Sequence, residues 1–427
     1  MLPMSQALYL SALWSIALLA LYWLLPRWAL ARQACYGWPV LVVVGLVARA
    51  VPWMMLPNGA QFDIESYKIV GDLVLQRRDV YTAAIAAGRH PYLPLMLYWL
   101  GFAELVARET SMAFVHVVKI APILADVAIG VVVQRALLQR RPPHVAFSYG
   151  LAYAVNPITI YVCAYHGQFD ALPTLFAVLS ALLAGTSPVA AAGWLGLGIL
   201  CKSWPVLGLP SLLLSAGSLS VRLRALSVTA FIPLMGVIAY SALVGASSSA
   251  VLVNALSYNW GIGIWGYGYL LRLLSMAVPT TSYLLEWTIL YGRYATLAFM
   301  ALAWYLAARR RDLWHSLFVL ILCFFALGHA FSVQYLCWIV PFAMVVSNRR
   351  MIDLYVTSAF LYMFVAYNGL VLYPGVTRIM PLPQGDWFII MLSGVPAWLV
   401  YMTWLAQQAA SVIRARSAQP AHADLAD

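Results

Sequence analysis

Asp63 and Glu65 are the first carboxylates in the chain, in the segment Gln61-Phe62-Asp63-Ile64-Glu65-Ser66-Tyr67-Lys68. A carboxylate there can be a general base held at a surface. It can equally be a helix N-cap, with Glu65 supplying the first-turn charge. Lys119 and Asp126 are seven residues apart, so on a helix they share a face two turns apart, about 10 Å along the axis. That is too far for a direct pair, and it leaves Asp126 open to an interhelical ion pair with Arg49 or Arg293. Lys119 either snorkels to a surface or faces an anion. His166-Gly167-Gln168-Phe169-Asp170 is a polar hinge between two apolar runs. A turn needs Gly167 but not His, Gln and Asp together. Lys202, His90, His329 and Gln334 complete the set.

These residues stand out because their background is apolar. The 427 residues include only 25 Lys plus Arg and 14 Asp plus Glu, while 64% are hydrophobic. Too few charges remain to coat a soluble globule, which excludes a cytosolic enzyme, a nucleic-acid-binding domain and a disordered chain. Long apolar runs without alternation indicate helices and not a barrel. The net charge of +11 fits basic loops on one side of a membrane, with no nucleic-acid partner. The five cysteines show no paired spacing and read as small hydrophobes.

The expected fold is all-α: a single polytopic transmembrane domain over 1–427. Apolar runs near 6–25, 38–56, 114–137, 144–164, 171–185, 188–201, 203–217, 226–244, 284–307, 313–329, 334–346, 352–373 and 387–409 make thirteen candidate spans. The first run lacks a basic leader and a cleavage site and reads as a retained span. With 26–37 placed inside, fourteen of the 25 basic residues fall in inner segments and seven in outer ones. This orientation requires that 92–107, which contains Glu104, be an interfacial amphipathic helix and not a span. Two long outer loops follow, 57–113 with helical patterning and 245–283 rich in Gly, Trp and Tyr. The stretch 417–427 reads as a disordered tail.

That topology puts Asp63, Lys119, His166, Asp170, Lys202, His329 and Gln334 at one outer membrane level. One carboxylate with several cations at a lipid boundary fits transfer of a sugar from a lipid monophosphate. The acceptor hydroxyl needs one base, the phosphate leaving group needs positive charge, and the lipid tail needs an apolar groove.

The motifs resemble the glycosyltransferase-C superfamily of polyprenyl-phosphate-sugar-dependent transferases. Within it they look closest to the dolichyl-phosphate-glucose and mannose enzymes and their prokaryotic relatives. The likeness runs from about residue 38 to 217, with a weaker echo at 323–346. Asp63-Ile64-Glu65 stands where the family keeps its catalytic aspartate. His90-Pro91-Tyr92-Leu93-Pro94-Leu95 resembles the Tyr-Pro-Pro-Leu stretch, broken here by Leu93. Lys119 with Asp126 resembles the basic-x6-Asp pattern. Asn156-Pro157 and the 166–170 hinge resemble the next segment, and Lys202 before Pro205 resembles a family lysine near a Pro-containing span. The resemblance implies a GT-C-like scaffold with interfacial helices in the first outer loop, and an inverting hexosyltransferase outside the cytoplasm. Its partners would be a polyprenyl-phosphate sugar donor, a lipid-linked or glycolipid acceptor, and membrane lipid. Asp63 becomes the base. Lys119, Lys202, His166, Gln168, His329 and Gln334 become donor phosphate or sugar ligands, with Glu65, Asp126, Asp170 and His90 in support. The later His-x-Glu-Lys pattern of the eukaryotic glucosyltransferases is not found in these residues.

Asp63-x-Glu65 could mimic the carboxylate pair of the metal-dependent branch. Most monophosphate-using members need no metal, so none is expected, and no cofactor beyond the lipid-linked donor. A transporter or flippase would show a repeat and a midplane site. A glycan polymerase or ligase would concentrate charge in a late outer loop, where 245–283 has only Arg272. The Ala/Leu/Arg/Trp-rich composition points to a bacterial inner membrane with the site on the periplasmic side.

Overall fold

The computed structural model describes residues 4–55, 61–256, 263–309, 311–372 and 391–417. Of the described residues 82% are helical, and none lies in a strand. In chain order the helices are α1 Met4–Ala31, α2 Trp38–Met55, α3 Gln61–Leu75, α4 Leu95–Glu109, α5 Phe114–Val118, α6 Ile120–Leu138, α7 Pro143–Ala154, α8 Pro157–Ile160, α9 Ala171–Leu183 and α10 Pro188–Cys201. They continue with α11 Leu209–Ser215, α12 Leu219–Val244, α13 Ser248–Leu256, α14 Gly266–Ala277, α15 Ser282–Ala303, α16 Leu313–Leu327, α17 Val340–Val346, α18 Arg349–Leu372 and α19 Val395–Ser417.

Within the described residues every apolar run of the sequence carries helix. Five helical segments are long and apolar enough to cross a bilayer: Tyr9–Ala31, Trp38–Met55, Phe114–Leu138, Pro143–His166 and Leu219–Val244. Five further apolar segments are shorter, among them Ala171–Leu183, Pro188–Cys201 and Leu313–Leu327. The outside of the bundle is apolar, as a hydrocarbon solvent requires. Only 17% of the most apolar window of α12 is buried, and it exposes Phe231, Leu234 and Leu243. α15 likewise exposes Trp287, Leu290, Tyr294 and Leu297.

The main core runs through α6, α7, α9 and α16 to α18, where Ile129, Val133, Ala152, Tyr161, Phe318, Ile339 and Tyr355 are buried. A second core joins α3 and α4 to the ends of α10 and α12 through Val70, Leu97, Leu100, Leu200, Val237 and Tyr240. α3 and α4 cross closely because glycine stands at the contact. A Cβ on Gly71 would come within 2.6 Å of the Leu100 carbonyl oxygen, and one on Gly101 within 2.7 Å of Val74. Residues 92–107 therefore supply α4, packed on α3. Glu104 lies on its buried face and accepts from Arg108 Nε at 2.8 Å.

The stretch read as a second long loop, 245–283, holds α13 and α14, with 257–262 outside the described residues. Of the predicted tail 417–427, Ser417 closes α19 and the rest lies outside the described residues. So do 57–60 at the start of the first loop, and Arg310 and Arg378 of the basic-residue pattern.

The interior of this apolar bundle holds a charge pair. Arg49 of α2 is fully buried and donates to Asp126 Oδ2 of α6 through Nη2 at 2.5 Å and Nε at 3.1 Å. Arg49 Nη1 also donates to the Gly45 and Ala154 carbonyls, each at 2.8 Å. Tyr153 donates to Asp126 Oδ1 at 2.7 Å. Asp126 is thus the interhelical pair with Arg49 that the sequence left open, and it clamps α2, α6 and α7 instead of supporting a site. Removing one partner leaves an uncompensated buried charge. Asp126→Asn is expected to cost about 3–5 kcal/mol of stability. Arg49→Met/Asp126→Leu should recover part of that loss, both read as unfolding transitions of the purified protein in detergent.

Candidate functional site

The site is built from the end of one broken helix. Asn156 caps α8, its side chain accepting from Ile158 N and Thr159 N. The helix then widens into a π-turn over Tyr161–His166 and stops at Gly167, whose φ of 92° is left-handed. π-turns inside helices recur at functional sites. Gly167 N and Gln168 N both donate to the Val162 carbonyl at 3.0 Å. This closure turns His166 and Gln168 toward the first turn of α3. A Cβ at 167 would lie 2.9 Å from both Ile64 Cδ1 and Lys119 Cε, so the site has room only for glycine there.

Asp63 lies in the first turn of α3 and not at its cap, since the helix begins at Gln61. Its carboxylate is held from α8's end of the chain. His166 Nε2 meets Oδ2 at 2.5 Å and Gln168 Nε2 donates to the same oxygen at 2.8 Å. Behind them, Tyr67 OH donates to Gln168 Oε1 at 2.5 Å, and Tyr367 OH bonds to His166 Nδ1. Burial raises the Asp63 carboxyl's pKa. The His166 and Gln168 hydrogen bonds, with the positive charge of His166 and Lys202, outweigh it and hold the carboxyl below the usual range. The Asp63 side chain keeps 30% of its exposure, whereas His166 keeps 6%, so the carboxylate is the group a substrate can reach.

Two lysines adjoin this cluster. Lys119, fully buried at the junction of α5 and α6, runs past Gly167 and donates to the Tyr165 carbonyl at 2.8 Å. It does not snorkel outward. Lys202, at the end of α10, pairs with Asp170 Oδ1 at 2.7 Å, and Trp338 Nε1 donates to the same oxygen at 2.5 Å. Four rings surround the Lys202 ammonium, with centroids at 4.8 Å for Tyr335, 4.9 Å for Tyr92, 5.2 Å for Trp338 and 5.6 Å for Phe169. Such a cage stabilises a cation that water no longer reaches.

Asp63, Lys119, His166, Gln168, Asp170 and Lys202 thus come together from α3, the α5–α6 junction, the 166–170 hinge and α10. Other predicted members do not join them in the same way. His166 and Gln168 grip the carboxylate instead of standing open for a phosphate. Glu65 is exposed, whereas Asp63 is half-buried and held by His166 and Gln168. His90 is 2% exposed among Tyr81 and Tyr92, and burial pulls its pKa down to about 3 against a weak backbone contact with Leu93. It is a neutral packing residue behind Tyr92. His329 meets Thr296 of α15 at 3.2 Å and packs on Gly292. Gln334 accepts from Ser332, and its neighbour Tyr335 is the one that faces Lys202. Tyr67, Tyr335, Trp338 and Tyr367 were missed. Nothing in the sequence separates them from the other members of a set of 25 Tyr and 17 Trp.

Among the described residues, no group of three or more His, Cys, Asp or Glu is arranged to hold a metal ion. Comparison with known protein families and with curated proteins finds no match for this chain.

Gly167→Ala is expected to destabilise the protein by about 1–3 kcal/mol through its left-handed backbone and blocked Cβ. Gly185→Ala, where a Cβ meets open space, should change little. The Asp63 carboxyl is lowered in the folded state, so its stabilising contribution is present above the ordinary carboxylate value of 3.8 and fades as pH falls through the lowered one. The difference in unfolding temperature between wild type and Asp63→Asn should therefore be flat from neutral pH down to that value and shrink below it.

Proposed function

We propose that the protein is a membrane glycosyltransferase that moves a sugar, mannosyl- or glucosyl-like, from a polyprenyl phosphate to a lipid-linked glycan, glycolipid or other acceptor, with inversion. The observation that carries this reading is a reachable carboxylate, Asp63, gripped by His166 and Gln168 beside two buried lysines. It stands at one end of a helix bundle whose outside is apolar.

The chemistry follows from the arrangement. Asp63 is ionised, and its orientation is fixed by two donors on one oxygen, Oδ2. It accepts the proton of an acceptor hydroxyl as that oxygen forms a bond to the anomeric carbon. The bond between that carbon and the phosphate oxygen breaks from the opposite face, and the polyprenyl phosphate departs with the electron pair. A phosphate leaves without an acid but gains from positive charge nearby, for which Lys119 is the first candidate and Lys202, already paired with Asp170, the second. His166 and Gln168 are positioning residues for the base, and Tyr367 and Tyr67 position them in turn. α3 and α4 would lie at the membrane surface as interfacial helices, and the basic-residue bias would put the site on the non-cytoplasmic side, periplasmic in a bacterial inner membrane.

The test supplies purified protein with short-chain polyprenyl-phosphate glucose, mannose or arabinose and a membrane lipid extract, with and without EDTA. Transfer is expected in one donor arm and should fall at least about 100-fold in Asp63→Asn, the usual scale for loss of a general base. Transfer that survives in Asp63→Asn would move the base elsewhere. Absence of both transfer and prenyl-phosphate binding would replace this reading with a transporter or flippase.

A further inference from the structure

The two ends of α6 differ in charge. Lys119 at its start belongs to the cluster above. Arg140 and Arg141 lie just past its C-cap Gln139, at the other end of a helix about 28 Å long at 1.5 Å per residue. There, with Arg311, Asp312 and His315, they line a cleft of about 320 Å³. Arg140 Nη2 meets Asp312 Oδ2 at 2.5 Å and ties the α6–α7 turn to the start of α16. The backbone N–H groups of Arg140 and Arg141 both donate to the Leu137 carbonyl at 2.8 Å, fixing the two arginines in one tight turn. Asp312 Oδ1 also caps α16, accepting from His315 N at 2.9 Å.

Three features give this cleft an unmet demand for negative charge. Three arginines face one carboxylate, and that carboxylate is already shared between Arg140 and the helix cap. The fifteen-residue helix α16 begins at the cleft, which adds the partial positive charge of its N-terminus. Val345 and Val346 of α17 form an apolar wall beside these charges. The volume is at the low end for a small-ligand site, about 300–1,000 Å³. It has room for a headgroup but not for lipid chains, which would run along the apolar exterior.

We infer that this cleft binds the phosphodiester headgroup of an anionic phospholipid, with Arg141 and Arg311 as its principal ligands. The shared chemistry is a phosphate oxyanion facing guanidinium groups, which pair in bidentate fashion. A lipid is favoured over a free phosphate because the charges sit against an apolar wall at the end of the apolar bundle, where basic pockets between membrane helices meet anionic headgroups. The inference does not rest on the transferase reading, since it uses the opposite end of α6.

The experiment incubates the full-length protein with equimolar phosphatidylglycerol and phosphatidylcholine in mixed micelles and measures the lipid retained after purification. Wild type is expected to be enriched in phosphatidylglycerol. Each arginine near an anionic surface contributes about fivefold, so Arg141→Gln/Arg311→Gln should lower the enrichment by about tenfold or more. Arg222→Gln/Arg224→Gln removes the same charge elsewhere and should leave the enrichment intact. Asp312→Asn keeps the helix cap but frees Arg140, so it should raise retention, a gain that misfolding cannot produce. A parallel arm adds inorganic phosphate, matched in ionic strength with chloride. Lack of enrichment in wild type, equal loss in both double-arginine variants, or no gain in Asp312→Asn would overturn the inference. Protection of the cleft by inorganic phosphate without phosphatidylglycerol enrichment would overturn the lipid assignment in favour of a free phosphate.

Discussion

The left-handed turn at Gly167 is the constraint on which the candidate site depends. A helix that continued through 167 would carry His166 and Gln168 around its axis at 100° per residue, and the two could not meet one carboxylate. The π-turn before the glycine and the φ of 92° at it bring both side chains to the same oxygen of Asp63. The same turn leaves a gap that Ile64 and the Lys119 stem fill, so α3, the α5–α6 junction and the hinge lock against one another. A side chain at 167 would push all three apart.

Around this turn the apolar interior governs where charge can be. Arg49 with Asp126 and Lys202 with Asp170 are both neutralised pairs with little or no exposure. A third group gathers Arg27 and Arg349 on Asp353, with Tyr22 donating to the same carboxylate at 2.7 Å. Burying an ion costs several kcal/mol unless a partner and further hydrogen bonds offset it. That cost explains why each buried cation has a carboxylate, carbonyls or aromatic faces around it. It also separates roles. The Arg49 pair is closed by carbonyls and Tyr153, and it fastens helices. The Lys202 pair borders Asp63, whose carboxylate keeps partial exposure.

The bundle is also polar along its length. At one end of α6, carboxylates and cations are balanced and interlocked around Asp63. At the other, arginines outnumber carboxylates and stand exposed. The first arrangement suits a reaction in which charge moves between groups held in place. The second suits attraction of a standing negative charge.

The sequence by itself determined the solvent, the helices and the roster of ionisable groups. With 64% hydrophobic residues, an outward apolar surface and inward polar groups follow from backbone and charge costs in lipid. The scarcity of charge made Asp63, Lys119, His166, Gln168, Asp170 and Lys202 visible, and the need to neutralise Asp126 pointed to Arg49 or Arg293, between which the structure chose Arg49. Only the tertiary structure decided which residues meet. Hydrogen bonds act over about 3 Å, while the partners here are 101 to 201 positions apart in the chain. That is why Tyr367 and Tyr67 could not be told from other tyrosines, why His166 and Gln168 proved to hold the base, and why His90 and His329, conspicuous in the sequence, pack elsewhere.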